Sequence, residues 1–418
     1  MKSMKKLLLA GLVLLASVMV LVGCKMEVEP EVKVPPKLES ISVSPPNKTV
    51  YSVGEGFDTT GMVVTATYDD ESSREVTVWT TNFDEVTSEK GVNKTVAVSY
   101  TEGDNAVTAT FTVDVVDPSV PTILTSYISP NHTDDTWTYV AFGEWPQTKA
   151  DVEVSSLELV DSGRGYFKDN YYTDGKGNYY VKVTANPSEY VYTYSDNSGV
   201  TKGSDVYFKV EPIIWRVLTE DYKVPGEGGE QQKNALLLAE NILTGGIKWA
   251  DSKNNYQESN IRKWLNGNSS DAGFLQTAFT SEAQGLITPT TVDNSKESTF
   301  GRGETVQDNP YTCENTTDKI FLLSEQEATM SDYGFGVYDA SGQGNTRIRV
   351  TTDYAKATGA NQSGTAGYGG WWWLRSPLWS HESNARGING VGRAYGSNDV
   401  LKIWVGVVPA LSISLEGN

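Results

Sequence analysis

Residues 371–411 read WWWLRSPLWSHESNARGINGVGRAYGSNDVLKIWVGVVPAL, and they decide how the C-terminal part of the chain is interpreted. Three adjacent tryptophans and an LRSP sequence are followed by polar residues interrupted by glycines, and an apolar run closes the segment. Tyr, Trp and Arg provide large contact areas with little loss of side-chain freedom, whereas Ser, Asn and Gly adapt their hydrogen bonds. The composition therefore predicts a recognition surface between two apolar scaffold segments.

We call the polar stretch at residues 378–404 the binding region. Trp372 and Trp373 are expected to pack in the core, and Arg375 is expected to hold backbone carbonyls rather than a ligand. Glycines within the binding region let the backbone turn and keep the side chains apart. Within the binding region, side-chain chemistry favours Trp379, His381, Arg393 and Tyr395 as ligand contacts.

Residues 137–418 are predicted to form one α+β domain with long loops. Strand candidates lie at 139–142, 179–183, 206–210, 213–218, 235–238 and 319–323. Helices are few and short: Ser259 is placed to cap one that runs through Leu265, and Gly267 is placed to end it. Two further pairs fit the spacing of a capping box, Ser281 with Gln284 and Ser324 with Glu327.

Residues 38–117 show a different pattern, with short alternating runs separated by turn-rich pieces. The runs lie at 40–43, 62–68, 75–79, 95–100 and 107–116. Period-two strands at this spacing favour an all-β antiparallel sandwich. The segment YSVGEGFDTTGMVVTATYDD, residues 51–70, resembles the bacterial Ig-like repeats of cell-surface proteins. Such domains can be adhesive, but we favour a spacer. Residues 118–136 contain prolines without clear periodicity and are predicted to be a linker.

The N-terminus predicts where the protein is found. Three lysines within residues 1–6 precede an apolar run at 7–22, so residues 1–23 have the form of a secretory signal peptide. The ending Leu-Val-Gly-Cys resembles a bacterial lipobox, which implies cleavage before Cys24 and a lipid on its thiol. Residues 24–37 would then be an extended tether, at ~3.1 Å per residue. We expect a lipid-anchored protein of the cell envelope, at the outer membrane or cell surface.

Composition argues against several classes of function. The formal net charge of −19 disfavours binding to the phosphates of nucleic acids. Once Cys24 is lipidated only Cys313 remains, so no intramolecular disulfide can form. Two histidines, His132 and His381, are too few for a histidine-based metal site or catalytic triad, and the spacing of Asp and Glu singles out no catalytic pair. We therefore predict no metal, no cofactor, no enzymatic activity and a monomer.

Five motifs carry a resemblance to a known family. They are IWRVL at 214–218, SNIRKWLN at 259–266, FLLSE at 321–325, WWLRSP at 372–377 and GVVPAL at 406–411. In this order they resemble bacterial extracellular domains with a C-type-lectin-like fold of the formylglycine-generating-enzyme type. Within that group they are similar to variable lipoproteins diversified by retroelements. The resemblance covers most of residues 137–416. It implies a scaffold at residues 371–377 and 406–415, with a ligand-facing region at 378–404 that varies between sister genes. The side chains that it implies as ligand contacts are Trp379, Ser380, His381, Glu382, Ser383, Asn384, Arg386, Asn389, Arg393, Tyr395, Ser397, Asn398, Asp399 and Trp404. Val408 stands where the family usually has arginine.

Three functions remain open at this point. The first is a surface lipoprotein that binds an unknown extracellular protein or glycan through residues 378–404. The second is an enzyme of the formylglycine-generating-enzyme-like fold with an unrecognised site. An enzyme would need a buried cleft with convergent titratable groups. The copper site of such enzymes is held by a pair of cysteines, and the only candidate here is Cys313. The third is a purely structural lipoprotein of the cell envelope.

Overall fold

The computed structural model describes residues 35–132, 137–161, 167, 169–189, 193–225, 231–267, 272–394 and 396–414. The predicted signal peptide, Cys24 and the tether up to residue 34 lie outside the described residues, as does Tyr395. Among the helices that are described, none has the length and apolar character needed to cross a membrane.

The N-terminal domain is a β-sandwich, as its alternating sequence predicts. Its elements are β1 (Leu38–Ser44), β2 (Val50–Ser52), β3 (Val63–Tyr68), β4 (Ser73–Glu75), β5 (Thr80–Thr81), the short helix α1 (Phe83–Thr87), β6 (Gly91–Glu102) and β7 (Asn105–Val116). One sheet has the order β1-β3-β4 and the other β2-β7-β6-β5. The predicted antiparallel pairing is wrong for β2 and β7, which are parallel neighbours. Tyr51, Val96 and Val98 are fully buried between the sheets. The strand predicted at 75–79 is wrong beyond Glu75, and Val78 is 80% exposed.

The C-terminal domain is mostly β-structure with short helices. Its strands are β8 (Thr122–Ile123), β9 (Tyr139–Lys149), β10 (Glu158–Leu159), β11 (Tyr171–Thr173), β12 (Tyr179–Thr184), β13 (Asp205–Pro225), β14 (Gln231–Ala239), β15 (Thr290–Val292), β16 (Thr316–Asp318), β17 (Ile320–Phe321), β18 (Trp372–Pro377), β19 (Asn384–Ile388), β20 (Gly396–Asp399) and β21 (Ala410–Ser414). Its helices are α2 (Asn260–Asn266), α3 (Phe274–Ala278), α4 (Ser281–Leu286) and α5 (Asp353–Ala357).

One large antiparallel sheet organises this domain, in the order β10-β11-β12-β13-β14-β21-β17, with β9 pairing to both β13 and β8. The strands predicted at 206–210 and 213–218 are continuous in β13, because Glu211 and Pro212 remain paired with Trp145 and Glu144 of β9. The core against this sheet is rich in tryptophan. Its fully buried members include Trp145, Trp215, Trp249, Trp372 and Trp373.

A second, smaller sheet carries the region predicted to bind a ligand. Strands β18, β19 and β20 are antiparallel neighbours, with Trp372 opposite Ile388 and Asn384 opposite Asp399. All six residues of β18 are buried, so this strand lies inside the domain. Because β19 runs antiparallel to both neighbours, the turns before and after it emerge at opposite ends of the sheet. We call residues 378–383 the tryptophan loop and residues 389–394 the arginine loop.

The helix boundaries test the predicted caps. The Ser259 hydroxyl accepts a hydrogen bond from the Arg262 N–H at 3.2 Å, and Gly267 ends α2 with φ +68°, so this cap is confirmed. The cap predicted at Ser281 is wrong by one residue, because the Thr280 hydroxyl receives the Ala283 N–H.

The capping box predicted for Ser324 and Glu327 is confirmed by both of its hydrogen bonds. The Ser324 N–H donates to Glu327 Oε2 at 2.8 Å, and the Glu327 N–H donates to Ser324 Oγ at 3.0 Å. The element that these bonds close is a single 3₁₀ turn, Glu327–Thr329, rather than an α-helix.

Candidate functional site

The tryptophan loop is a tight turn with exposed side chains. The Leu378 N–H donates to the Asn384 carbonyl at 2.9 Å, and the Asn384 N–H donates to the His381 carbonyl at 3.2 Å. Trp379 is 40% exposed, and Ser380, His381 and Glu382 are also exposed. Four neighbouring predicted ligand contacts are therefore accessible to a partner on one turn.

Asn254 holds the backbone of this loop from inside the domain. Its side chain is buried, and Nδ2 donates to the carbonyls of Leu378, His381 and Asn384 at 3.3, 2.9 and 2.7 Å. Its backbone N–H donates to the Glu382 carbonyl at 2.7 Å. These bonds satisfy loop carbonyls without using any loop side chain. The loop conformation thus depends on Asn254, a residue that the sequence analysis did not identify.

The turn that follows β20 lies beside the tryptophan loop. The Val400 N–H donates to the Ser383 carbonyl at 2.8 Å, which joins the two turns at the same end of the small sheet. Leu401 is 47% exposed and Ile403 is 38% exposed, both large fractions for apolar side chains. Of the predicted contacts at this end, Ser383, Asn384 and Asp399 are half-buried.

The polar side chains that follow Trp379 in the loop contact one another or a neighbouring lysine. Ser380 Oγ lies 2.9 Å from His381 Nδ1, and Lys253 Nζ lies 3.5 Å from Glu382 Oε2. Both members of this ion pair are largely exposed, so the pair contributes at most about 1 kcal/mol to stability. These charges remain available to an incoming partner.

The arginine loop forms a separate surface. Asn389 is half-buried, and its Oδ1 accepts the N–H groups of Val391 and Arg393 at 3.2 and 2.9 Å. Arg393 is exposed, and its Nε donates to the Asp339 carbonyl at 3.2 Å. The five residues of β19 separate this loop from the tryptophan loop by roughly 15–20 Å. The predicted contacts therefore do not form one continuous patch.

Arg386 was expected to be an exposed ligand contact, and this expectation is wrong. The side chain is buried, with Nη2 at 2.7 Å from Glu304 Oε1 and Nε at 2.9 Å from Glu325 Oε2. Two carboxylates from distant loops draw the guanidinium inward. Asn398 is likewise buried, whereas its neighbour Ser397 is exposed, as expected for successive residues of a strand.

The carboxyl of Glu325 lies in a strongly perturbing environment. Burial raises its pKa well above the ordinary value; Arg386 opposes this shift, and the nearby Glu304 adds to it. Two carboxyl groups share the Arg386 guanidinium in this dry site, an arrangement that favours the protonated form of Glu325. The contacts of Arg386 with Glu304 and Glu325 fix the middle of β19 to the domain core.

The three adjacent tryptophans have two different roles. Trp372 and Trp373 are fully buried, as predicted. Trp371 is half-buried and packs edge-to-face against the half-buried Trp404, with ring centroids 5.7 Å apart. Trp371 also approaches Gly396, where a Cβ would lie 3.0 Å from Cζ3 of the indole. Trp404 is therefore packed near the arginine-loop end of the sheet rather than beside Trp379.

Arg375 holds backbone carbonyls, as predicted. Its Nη1 donates to the Leu322 carbonyl at 2.8 Å, and its Nη2 donates to the Asp293 carbonyl at 2.9 Å. The guanidinium also forms an ion pair with Glu327, the residue that closes the capping box. The LRSP motif is thus a structural junction between β18 and two loops.

Groups with catalytic or metal-binding chemistry are dispersed in the described structure. Within the described ranges, no three His, Cys, Asp or Glu side chains are grouped so as to hold a metal. Burial, together with Arg216 and Arg349, lowers the pKa of His132 to about 4. Cys313 is a half-buried free thiol, and burial raises its pKa.

Comparison with known families identifies the N-terminal domain. Residues 44–115 match the bacterial Ig-like domain, group 3. Residues 232–415 match a domain of unknown function, DUF6273. This second match includes Asn254, the tryptophan loop and the whole of the small sheet. No curated protein and no solved structure matches the chain.

Proposed function

We propose that the protein is a lipid-anchored cell-surface protein that binds an external protein or glycan through the tryptophan loop. The observation that carries this proposal is the combination of exposed side chains on residues 379–382 with backbone carbonyls fixed by Asn254. A loop held in one conformation before binding loses little entropy when a ligand arrives.

The side chains of the loop suit recognition. A half-exposed indole supplies a large apolar contact, and binding interfaces commonly concentrate their free energy on such aromatic anchors. The hydroxyl, imidazole and carboxylate of Ser380, His381 and Glu382 give the anchor a polar rim. Leu401, on the adjoining turn, extends the apolar contact.

We also propose that the C-terminal domain has a C-type-lectin-like scaffold whose exposed loop residues differ between sister genes. The placement of the motifs supports this: WWLRSP and GVVPAL lie in the core, whereas residues 379–382 lie on the surface. Sequencing related loci tests the idea. We expect differences to concentrate at exposed positions and to spare Arg386 and Asn254; even variation along the domain would contradict it.

The membrane anchor is proposed from the sequence at Cys24. Growth with a radiolabelled fatty acid should label the mature protein, and Cys24→Ser should abolish both the label and its retention in the membrane fraction. An unlabelled wild-type protein would contradict the anchor.

Adhesion tests the binding function directly. Cells that display the full chain are expected to adhere to surfaces coated with mucin glycans or matrix protein, and the combined Trp379→Ala, His381→Ala, Glu382→Ala variant should lose this adhesion. Leu159→Ala is a matched control, because Leu159 is an exposed apolar residue on β10, at one edge of the large sheet. If the loop variant and the control adhere equally, the protein acts as a structural lipoprotein instead.

A further inference from the structure

The contact between the two domains contains a buried set of alternating charges. The Ig-like domain contributes Lys48 and Glu55, and the C-terminal domain contributes Lys209 and Glu211. Lys48 Nζ lies 2.7 Å from Glu55 Oε1 and 2.5 Å from Glu211 Oε1, and Lys209 Nζ lies 2.7 Å from Glu55 Oε1. None of these side chains is more than 14% exposed. We call these four residues the charge quartet.

The charge quartet is neutral, and each domain supplies one positive and one negative member. Burial alone would lower the pKa of Lys48, but the carboxylates of Glu211 and Glu55 raise it above its ordinary value. Burial would raise the pKa of Glu211, but Lys48 and Lys209 lower it. Lys48 and Glu211 therefore remain charged and paired. Buried pairs of this kind favour one relative orientation, since any other leaves a charge without its partner.

The backbones of the two domains also touch. The Gly56 N–H of the Ig-like domain donates to Asn178 Oδ1 at 3.2 Å. Gly177 has φ +85°, and a Cβ at this position would lie 2.1 Å from the Gly54 carbonyl oxygen. The turn between β11 and β12 thus fits against the Ig-like domain only because glycine occupies this position.

An apolar cluster continues across the same contact. It joins the ends of β2 and β7 to the chain that follows them and to β9, through Val50, Val116, Leu124, Tyr139 and Ala141. The buried carboxylate of Asp114 accepts the N–H groups of Thr125 and Ser126, both at 2.7 Å. The described part of the segment predicted to be a linker is therefore fixed to both domains.

We propose that the Ig-like domain is a permanently docked base of the C-terminal domain, and that the two unfold as one cooperative unit in an orientation set by the charge quartet. This goes beyond the proposed binding function, because it gives the Ig-like domain a role other than that of a separable spacer. A docked base would present the tryptophan loop at a fixed angle to the first strand of the chain.

Calorimetric unfolding of the purified full-length chain tests the docking. One transition is expected, with equal calorimetric and van't Hoff enthalpies, because an apolar cluster and a charge network join the domains. Two separate transitions in the wild-type chain would overturn the proposal.

A pair of glycine variants isolates the contact. Gly177→Ala places a Cβ against Gly54, whereas Gly175, in the same turn and with φ +71°, has no atom within 4 Å of an added Cβ. Both substitutions strain the backbone, so the difference between the unfolding transitions of the two variants reports the domain contact alone. We expect Gly177→Ala to split the transition in two and Gly175→Ala to leave it single. Identical behaviour of the two variants would overturn the proposal.

A double-mutant cycle tests the charge quartet. Lys48→Met and Glu211→Gln should each lower the melting temperature, and the combined variant should lower it by less than the sum, because the two side chains act as one pair. Strictly additive shifts would show that the quartet does not set the domain contact.

Discussion

At the scale of single residues, Asn254 determines the shape of the tryptophan loop. One buried amide donates to three loop carbonyls, a contact between positions more than 120 residues apart in the chain. No local pattern marks an asparagine for such a role, which is why the sequence analysis missed it. The burial of Arg386 could not be predicted from local sequence either, because its carboxylate partners, Glu304 and Glu325, lie more than 60 residues away in the chain.

Asn254→Asp should loosen the loop while conserving its volume. The carboxylate has no amide hydrogens to donate, so the carbonyls of Leu378, His381 and Asn384 lose their side-chain donor and keep only their backbone donors. A buried carboxylate would also face these three carbonyl oxygens, which is unfavourable. We expect faster hydrogen–deuterium exchange in residues 378–384. Asn255→Ala is the control, because that side chain accepts from the Glu258 N–H instead of donating to the loop carbonyls. Wild-type exchange rates in Asn254→Asp would contradict this role.

Glu325→Gln should change the pH dependence of stability. The pKa of Glu325 in the folded protein lies well above its unfolded value near 4.5. Its contribution to the free energy of unfolding is therefore fully present below the unfolded pKa and is lost as pH rises through the folded pKa. The glutamine variant removes this loss, so we expect a higher melting temperature than wild type at neutral pH and a flatter profile above about pH 5. Thermal melts across that range test it, with the exposed Glu297→Gln as control; parallel profiles would contradict it.

At the scale of elements, the sequence was most informative where neighbouring residues decide the structure. Apart from the strand predicted at 75–79, the alternating strands of the sandwich follow from local pattern and are confirmed. The Ser259 cap of α2 and the buried pair Trp372–Trp373 are also confirmed. The turns on either side of β19 illustrate the opposite case. Their residues are close in sequence, but the buried strand β19 separates them in space. The polar stretch predicted to be one surface therefore forms two.

Ser259→Ala tests the cap of α2. The hydroxyl accepts from the Arg262 N–H and donates to the Tyr256 carbonyl at 2.8 Å, so its loss should lower the free energy of unfolding by about 1 kcal/mol. Chemical denaturation measures this, with the exposed Ser252→Ala as control. Equal midpoints for both variants would show that the cap contributes nothing.

At the scale of the whole molecule, the protein combines an Ig-like domain with a β-rich domain that carries the accessible tryptophan loop. The two-domain composition could be predicted because each domain has its own periodicity. The docking of the domains could not, because the charge quartet joins residues 48 and 55 to residues 209 and 211 through contacts that no local pattern encodes.

The most direct test is the dissociation constant of the full-length protein for the glycan or matrix protein to which displaying cells adhere. Trp379→Ala with His381→Ala should weaken binding at least about tenfold, because losing an aromatic anchor costs ~2 kcal/mol or more. Arg393→Ala, at the opposite end of the small sheet, should bind as the wild type does. Unchanged binding by the tryptophan-loop variant, or an equal loss in Arg393→Ala, would contradict the account.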